Sequence, residues 1–318
     1  MADPNVSEIA TVAIENRSGE VRDNVTNNVA LLTRLKKRGN IRYFSGGTQI
    51  NEEMTYQQNT NGGFYSGFDL LPIAQQATLT SAVFNIKQYA VAVIISGLEE
   101  IQNSGKERVI DLLEARIKNA EASMLNDIAQ GIYSDGTGSG GKTITGLQAA
   151  VTATNNSGTY GGIDRSLWTF WRQVVDTGTT GSGDIQTHMN SMWAQLQRNS
   201  DRPDFIVMDN NYWKFYVSSL QSLQRFTEPS EADLGFKTLK YMDADIVLDG
   251  GIGGYAPASQ AYFLNTKYLH WRPFKGRDFV PLSPDKRAPL NQDAEVSLLG
   301  WAGNLTCSGL KFQGLMKA

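Results

Sequence analysis

Ser104-Gly-Lys-Glu-Arg-Val-Ile-Asp-Leu-Leu-Glu-Ala-Arg-Ile-Lys-Asn-Ala-Glu-Ala-Ser-Met-Leu-Asn-Asp-Ile-Ala-Gln-Gly-Ile-Tyr133 reads as one long amphipathic helix. Val109, Leu113, Ile117, Ala120, Met124, Ile128 and Ile132 recur at helical spacing, so a single apolar stripe faces a core. Ser104 and Glu107 have the spacing of a capping box, the serine oxygen accepting from a first-turn amide while the glutamate reaches back. Glu114 and Lys118 lie off the stripe, four apart in the favourable order, and add about 0.3 kcal/mol. At about 1.5 Å per residue the helix is about 40 Å long, as long as a small domain is wide. It serves as a spine from which other elements hang, a role that a long helix also fills in many α+β enzymes.

Around this spine, 318 residues with 41% hydrophobic content suffice for a real core, in two domains or one elaborated domain. Only 19% of residues are charged while Asn, Gln, Ser, Thr and Gly abound, so the surface is largely neutral and polar and can pack against other proteins with little desolvation. A net charge of −3 argues against a dedicated nucleic-acid binder, which would concentrate cations to displace counterions. The single cysteine, Cys307, excludes an internal disulfide framework and reads as a small buried hydrophobe. Met1 to Asn5 lacks a secretory pattern, and no apolar run approaches a membrane span. Folding in a cytosol is therefore expected, and the N-x-S/T triplets at Asn24, Asn155 and Asn304 carry no glycan meaning.

Upstream of the spine, Ser81 to Ser96 alternates as a strand whose last part, Ala90 to Ile95, is apolar on both faces and hence expected in the interior. Before it, Thr48 to Tyr56 puts Ile50, Glu52, Met54 and Tyr56 on one face, followed by a Gly/Asn-rich tip and a return through Leu70, Leu71 and Pro72. This predicts a long hairpin over 46–80, and two strands alone have no layer to bury against, so it must lie on something else. Residues 1–45 form an arm with short helices near 7–16 and 20–38. The second carries Val21, Val25, Val29, Leu32 and Leu35 on one side, Lys36, Lys37 and Arg38 in its last turn and Gly39 as a stop. Its apolar stripe needs a partner, either the body of this chain or a neighbour. Downstream, an α/β pattern predicts helices over 184–198 and 211–225, strands over 205–208, 237–241 and 246–248, and closing strands over 261–272 and 295–310.

Few residues suggest chemistry. Gly136-x-x-x-x-Gly141-Lys142-Thr143 satisfies the P-loop pattern, with Phe205 to Asp209 as a conceivable magnesium strand. A P-loop needs a buried strand before it and a helix after it, whereas here a helix precedes and Gly146 follows at once, so a flexible linker fits better. Asp243, Asp245 and Asp249 resemble cation ligands but also suit a solvated strand end. His188 and His270 lack the acidic or thiol partners of a zinc site or a triad. Trp168, Phe170, Trp171, Trp193, Tyr212, Trp213, Phe215 and Tyr216 crowd the α/β part without interleaved cations, which points to core packing. No catalytic, cofactor-binding or metal-binding residue is expected.

An arm, a long uncovered hairpin, a buried strand, a spine helix and an α/β part with returning C-terminal strands resemble the major capsid protein of tailed bacteriophages, of the Hong Kong 97 type. Short stretches are similar to one branch of it: Thr159-Tyr-Gly-Gly-Ile-Asp-Arg165 followed by Trp168 and Trp171, Gly235-Phe-Lys-Thr-Leu239, Ala261-Tyr-Phe-Leu-Asn265 and Gly300-Trp-Ala-Gly-Asn-Leu305. The resemblance implies an α+β Hong Kong 97-like capsid fold with an arm over 1–45, an extended loop over 46–80, a peripheral domain with the spine helix over 81–149, and an axial domain over 150–261. Segments of 262–318 would be shared between the last two. It further implies a non-catalytic chain whose pentamers and hexamers enclose double-stranded DNA without sequence-specific binding. Expected partners are a portal, a separate scaffolding protein, since the arm is short, and in some particles a decoration protein; assembly would occur in the bacterial host cytoplasm and the product would be a virion capsid. The loop has no lysine, so the lysine-to-asparagine crosslinks of some relatives are not expected. The alternatives are an encapsulin-like protein compartment and a P-loop ATPase.

Between Tyr43 and Ile86 the only charges are Glu52, Glu53 and Asp69, whereas His270 to Pro289 carries an excess of three positive charges from Arg272, Lys275, Arg277, Lys286 and Arg287. The family architecture lays the loop over an adjacent subunit. Glu52 and Glu53 of one copy are therefore candidates to meet Arg272, Lys275 and Arg277 of another, the alternative being two solvated faces that never meet.

Overall fold

The computed structural model describes residues 29–71, 73–98, 106–221, 239–250, 254–282 and 294–317. In chain order the main elements are α1 (Ala30–Arg38), β1 (Gln49–Thr55), β2 (Leu79–Asn85), β3 (Lys87–Ser96), α2 (Lys106–Ile132), β4 (Thr159–Tyr160), β5 (Ile163–Asp164), β6 (Val174–Thr177) and α3 (Ile185–Leu196). β7 (Phe205–Met208), α4 (Asn210–Gln221), β8 (Leu239–Tyr241), β9 (Ala244–Leu248), β10 (Gln260–Leu264), β11 (Leu269–Pro281), β12 (Ala294–Cys307) and β13 (Gly314–Lys317) complete them. The helix near 7–16, the start of the helix over 20–38, the capping box at Ser104, the Gly235 motif and the cations Lys286 and Arg287 lie outside the described residues.

α2 is the expected spine. Ile117, Ala120, Met124, Ile128 and Ile132 are all buried along one side, which is what the stripe requires. The helix packs on β3, where the Arg116 guanidinium donates to the Ile94 carbonyl, and β3 in turn pairs antiparallel with β12, which pairs with β11. At its other end Tyr133 donates its hydroxyl to the Asp249 carboxylate at the end of β9, so the spine reaches from this three-stranded sheet to a second one. That second sheet runs β6-β13-β10-β7-β9-β8, mixed in direction. β7 is central and buried on both faces, with Phe205 and Val207 in one core and Ile206 and Met208 in another under α3 and α4, hence its unbroken apolar sequence.

The described part of the arm rests on this chain's own body. Leu31, Leu32 and Leu35 of α1 are buried, and Gly39, left-handed at φ 74°, ends the helix by donating to Lys36 and letting Asn40 donate to Leu35. Arg34 pairs with Asp204 and Asp245 at 3.1 Å each, and Arg38 joins it on Asp204. Residues 40–44 then run parallel to β11, exchanging backbone bonds with Trp271, Pro273 and Lys275.

Four expectations need correction. The strand expected over 81–96 is two, β2 and β3, broken at Ile86. The buried residues of β2 are even-numbered (Ala82, Phe84) while those of β3 are odd-numbered (Val93, Ile95), so the alternation slips phase by one residue and each half turns to a different partner. The hairpin return is accordingly β2, paired with β1 in the register Glu52 to Ala82; Leu70 and Leu71 of the expected return belong to neither strand, and Pro72 lies outside the described residues. Ala90, Ala92 and Ile94 are exposed, because β3 is an edge strand with only one face against α2; the stretch is not interior on both faces. Finally, the strand expected over 261–272 turns at Asn265 through a short 3-10 helix, so β10 and β11 enter different sheets, and β13 has no counterpart in the sequence reading.

Met124 is fully buried midway along α2. Met124→Ala is expected to lower stability by about 2–5 kcal/mol, measured by chemical denaturation.

Candidate functional site

A two-stranded hairpin gains stability only from what it rests on, and this one is seated on its own chain by three polar or close-packed contacts. The first is at its root. Asn304 of β12 is fully buried; its amide donates to the Asn85 carbonyl (2.9 Å) and to Thr145 Oγ1 (3.2 Å), and its oxygen accepts from the Thr145 amide (2.9 Å). One side chain thus joins β12, the hairpin and the return of the glycine loop.

The second contact lies mid-strand. Ile50, Glu52 and Met54 face inward, and Glu52 is the one acid among them. Its Oε1 accepts from Thr306 Oγ1 (2.8 Å) and lies 3.4 Å from Arg272 Nε, so its charge is met inside the same chain. His270 is buried beside them, its Nε2 3.3 Å from Ser308 Oγ. Burial, then the Arg42 and Arg272 guanidinium groups, push its pKa down to about 4.

The third contact explains the Tyr160-Gly-Gly-Ile163 motif. Gly161 (φ 58°) and Gly162 (φ 76°) are both left-handed, the type I′ turn that joins β4 to β5. The Gly161 carbonyl accepts from the Val83 amide at 2.9 Å, and a Cβ at Gly161 would meet Ala82 at 2.8 Å and Phe84 at 2.9 Å. Tyr160 packs edge-on against Phe84 (5.1 Å), and buried Arg165 holds the Ala149 and Ala150 carbonyls at 2.7 Å each.

Beyond the seat the chain presents apolar side chains to solvent. Phe64, Phe68, Leu70 and Ile73 are each more than nine-tenths exposed, and Tyr65, Leu71 and Leu79 are exposed as well. Exposed apolar side chains concentrated in one segment suit an interaction surface.

The other sequence candidates separate. Glu53 is exposed on the outer face of β1. Lys275 and Arg277 are exposed on a bulge where the β11–β12 register shifts between Pro273 and Asp278. Glu52 and Arg272 are engaged with one another, so the structure does not gather all five. Asp245 pairs with Arg34, Asp243 with Arg202 and Asp249 with Tyr133, and among the described residues no three metal-ligating side chains converge. Burial raises the Asp249 pKa. His188 Nδ1 lies 2.7 Å from Asp176. The glycine loop follows α2, and Asp135 bridges Thr145 to close it; Gly146 sits so close to the last carbonyls of α2 that a Cβ would fall 2.3 Å from the Ile132 oxygen. The sequence reading missed Asn304 and Gly161 as seat residues, although both fall in motifs it singled out.

Asn304→Ala strands the Asn85 carbonyl and Thr145 amide, and is expected to cost about 2–4 kcal/mol in denaturant unfolding. His270 has a second signature. The unfolded chain protonates it near pH 6.5 and the folded chain only near 4, so stability should fall as pH drops through that window, by up to about 3 kcal/mol. In His270→Asn this part of the pH profile should flatten.

No protein-family model matches the sequence, and no curated protein matches it. Solved structures do. The chain is similar to the capsid protein of cyanophage A-1(L) with a TM-score of 0.67 and 19% identity, over 92% of each chain. It is also similar to the capsid of a native GTA particle (TM-score 0.57, 11% identity, 91% of this chain and 90% of that one) and to the capsid of Myoviridae phage XM1 (0.54, 13%, 89% and 91%). Nearly complete coverage with the same mixed α+β architecture establishes that this chain has the phage capsid-protein fold.

Proposed function

We propose that copies of this chain assemble into an icosahedral shell around the double-stranded DNA of a tailed phage or prophage, as a structural protein without catalysis. The observation that carries the reading is the exposed apolar loop of residues 64–79, held away from its own core by a hairpin that is firmly seated. Burying one phenylalanine removes about 150 Å² from water, worth about 4 kcal/mol before ordering costs, and the complementary surface available in quantity is another copy. The capsid folds it resembles support a structural role.

In this reading residues 46–80 are the extended loop, the region of α2, β3, β11 and β12 is the peripheral domain, and the six-stranded sheet is the axial domain. The same reading calls for a separate scaffolding protein and a portal for assembly in the host cytoplasm, with a decoration protein in some particles. Contacts between copies involve Glu53, Lys275 and Arg277, the exposed members of the charged set, with Glu52 and Arg272 fixing the hairpin from within. These charges steer encounter more than they hold it.

Electron microscopy of the purified protein, alone and with the products of neighbouring genes, is expected to show shells, rings or tubes, and co-purifying protein cargo in place of DNA would indicate a compartment instead. Glu53→Lys should slow assembly several-fold in low salt and less in high salt, with the monomer still folded. Wild-type rates in low salt would remove Glu53 from the contact.

A further inference from the structure

The loop between β1 and β2 carries the one Asn-Gly pair of the chain, Asn61-Gly62. Gly62 has no Cβ to shield its amide nitrogen, which is exposed and meets no acceptor among the described residues. The Asn61 carboxamide beside it is half-buried and held at both ends: Nδ2 donates to the Ala74 carbonyl, and Oδ1 accepts from Gln76 Nε2 at 3.0 Å. Gln76 is itself fixed, its Oε1 accepting from the Thr60 amide at 2.8 Å and its Nε2 donating to Thr60 Oγ1. A donor on Oδ1 draws electron density from Cγ and stands ready for the oxyanion that forms when a nucleophile adds there. The two Asp-Gly pairs lack this combination. The Gly136 amide donates to Ser134 Oγ at 3.1 Å, and Gly250 is packed so closely that a Cβ would lie 2.8 Å from the Asn210 nitrogen.

We infer that Asn61 is a self-modification site, converted in the folded protein, without enzyme or cofactor, to an aspartyl or isoaspartyl residue. The Gly62 nitrogen gives up its proton and attacks Asn61 Cγ. The N–Cγ bond forms, the Cγ–Nδ2 bond breaks, and Nδ2 leaves as ammonia carrying that proton. Water then adds to either carbonyl of the cyclic imide and opens it, and the new carboxyl group gives its proton to the ammonia. Each turn of this chemistry consumes one water and releases one ammonium ion. The carboxylate has no proton to donate to the Ala74 carbonyl, so the tie between residues 61 and 74 becomes a repulsion between two acceptors. Between Glu53 and Ile86 the sequence holds no charge but Asp69, and the reaction adds a second negative one. It runs one way with time alone, and therefore records the age of each copy.

The purified chain is held at mildly alkaline pH, then cut with trypsin, which releases residues 43–87 as one peptide because no lysine or arginine interrupts it. Mass spectrometry is expected to show the amide at position 61 replaced by a carboxyl group, faster as pH rises, and an isoaspartyl methyltransferase should label the product. Gly62→Ala should slow the conversion roughly tenfold or more, since its methyl group blocks the approach to Cγ. That methyl group has nothing within 4 Å and Gly62 is not left-handed, so the loop keeps its shape. Gln76→Leu should slow conversion roughly tenfold in the folded protein and leave the excised peptide unchanged. Aged wild-type protein and Asn61→Asp should both be cut faster by chymotrypsin at the exposed Phe64 and Phe68 than fresh protein is. An Asn61 that stays intact in the folded chain while the excised peptide converts overturns the site. Equal folded-state rates with and without Gln76 overturn the role given to that side chain.

Discussion

The placing of the extended loop depends on how a marginal element, a two-stranded hairpin, is made rigid without a layer of its own. The solution is polar at the root and apolar along the inner face. Buried Asn304 satisfies backbone groups from two separate segments at once, and groups of that kind are costly to leave unpaired in a low-dielectric interior. Glu52, among apolar neighbours, is tolerable only because Thr306 and Arg272 meet it. Such contacts have one geometry, whereas an apolar face alone would allow sliding. Direction is therefore specified at the root, and the loop beyond it inherits that direction.

The seat also explains how the molecule divides its labour. The six-stranded sheet, with cores on both faces, and the spine with its own sheet form the folded body. The loop leaves its apolar side chains outside that body. Stability and association thus reside in different residues, so a copy can fold first and bind afterwards, and charges such as Glu53 can tune encounter without disturbing the core.

Much of this was legible in the sequence where one period dominated. The spine stripe, Phe205 to Met208 and the Gly39 stop each follow from local physics, and they are found where expected. What failed was phase and partner choice. The slip at Ile86 is visible in the alternation once sought, but which sheet each half joins depends on strands elsewhere in the chain, β1 for the first half and β12 for the second. β13 is four residues long and is stabilised by β10 and β6 on either side, so its own sequence carries little signal. Gly161 and Asn304 were noticed as parts of motifs, yet their roles, a close approach and a three-way hydrogen-bond hub, exist only after folding. Glu52 was expected to meet a cation of another copy; that Arg272 and Thr306 of the same chain reach it follows only from the fold.

The short parallel run of residues 40–44 along β11 has a bearing on life at high concentration. Without it, the thirteen-residue β11 would offer a long row of free amides and carbonyls to any passing strand. By laying its own arm on that edge, the chain withdraws part of the template for disordered strand-to-strand stacking. The arm in this sense acts as a chaperone carried within the chain.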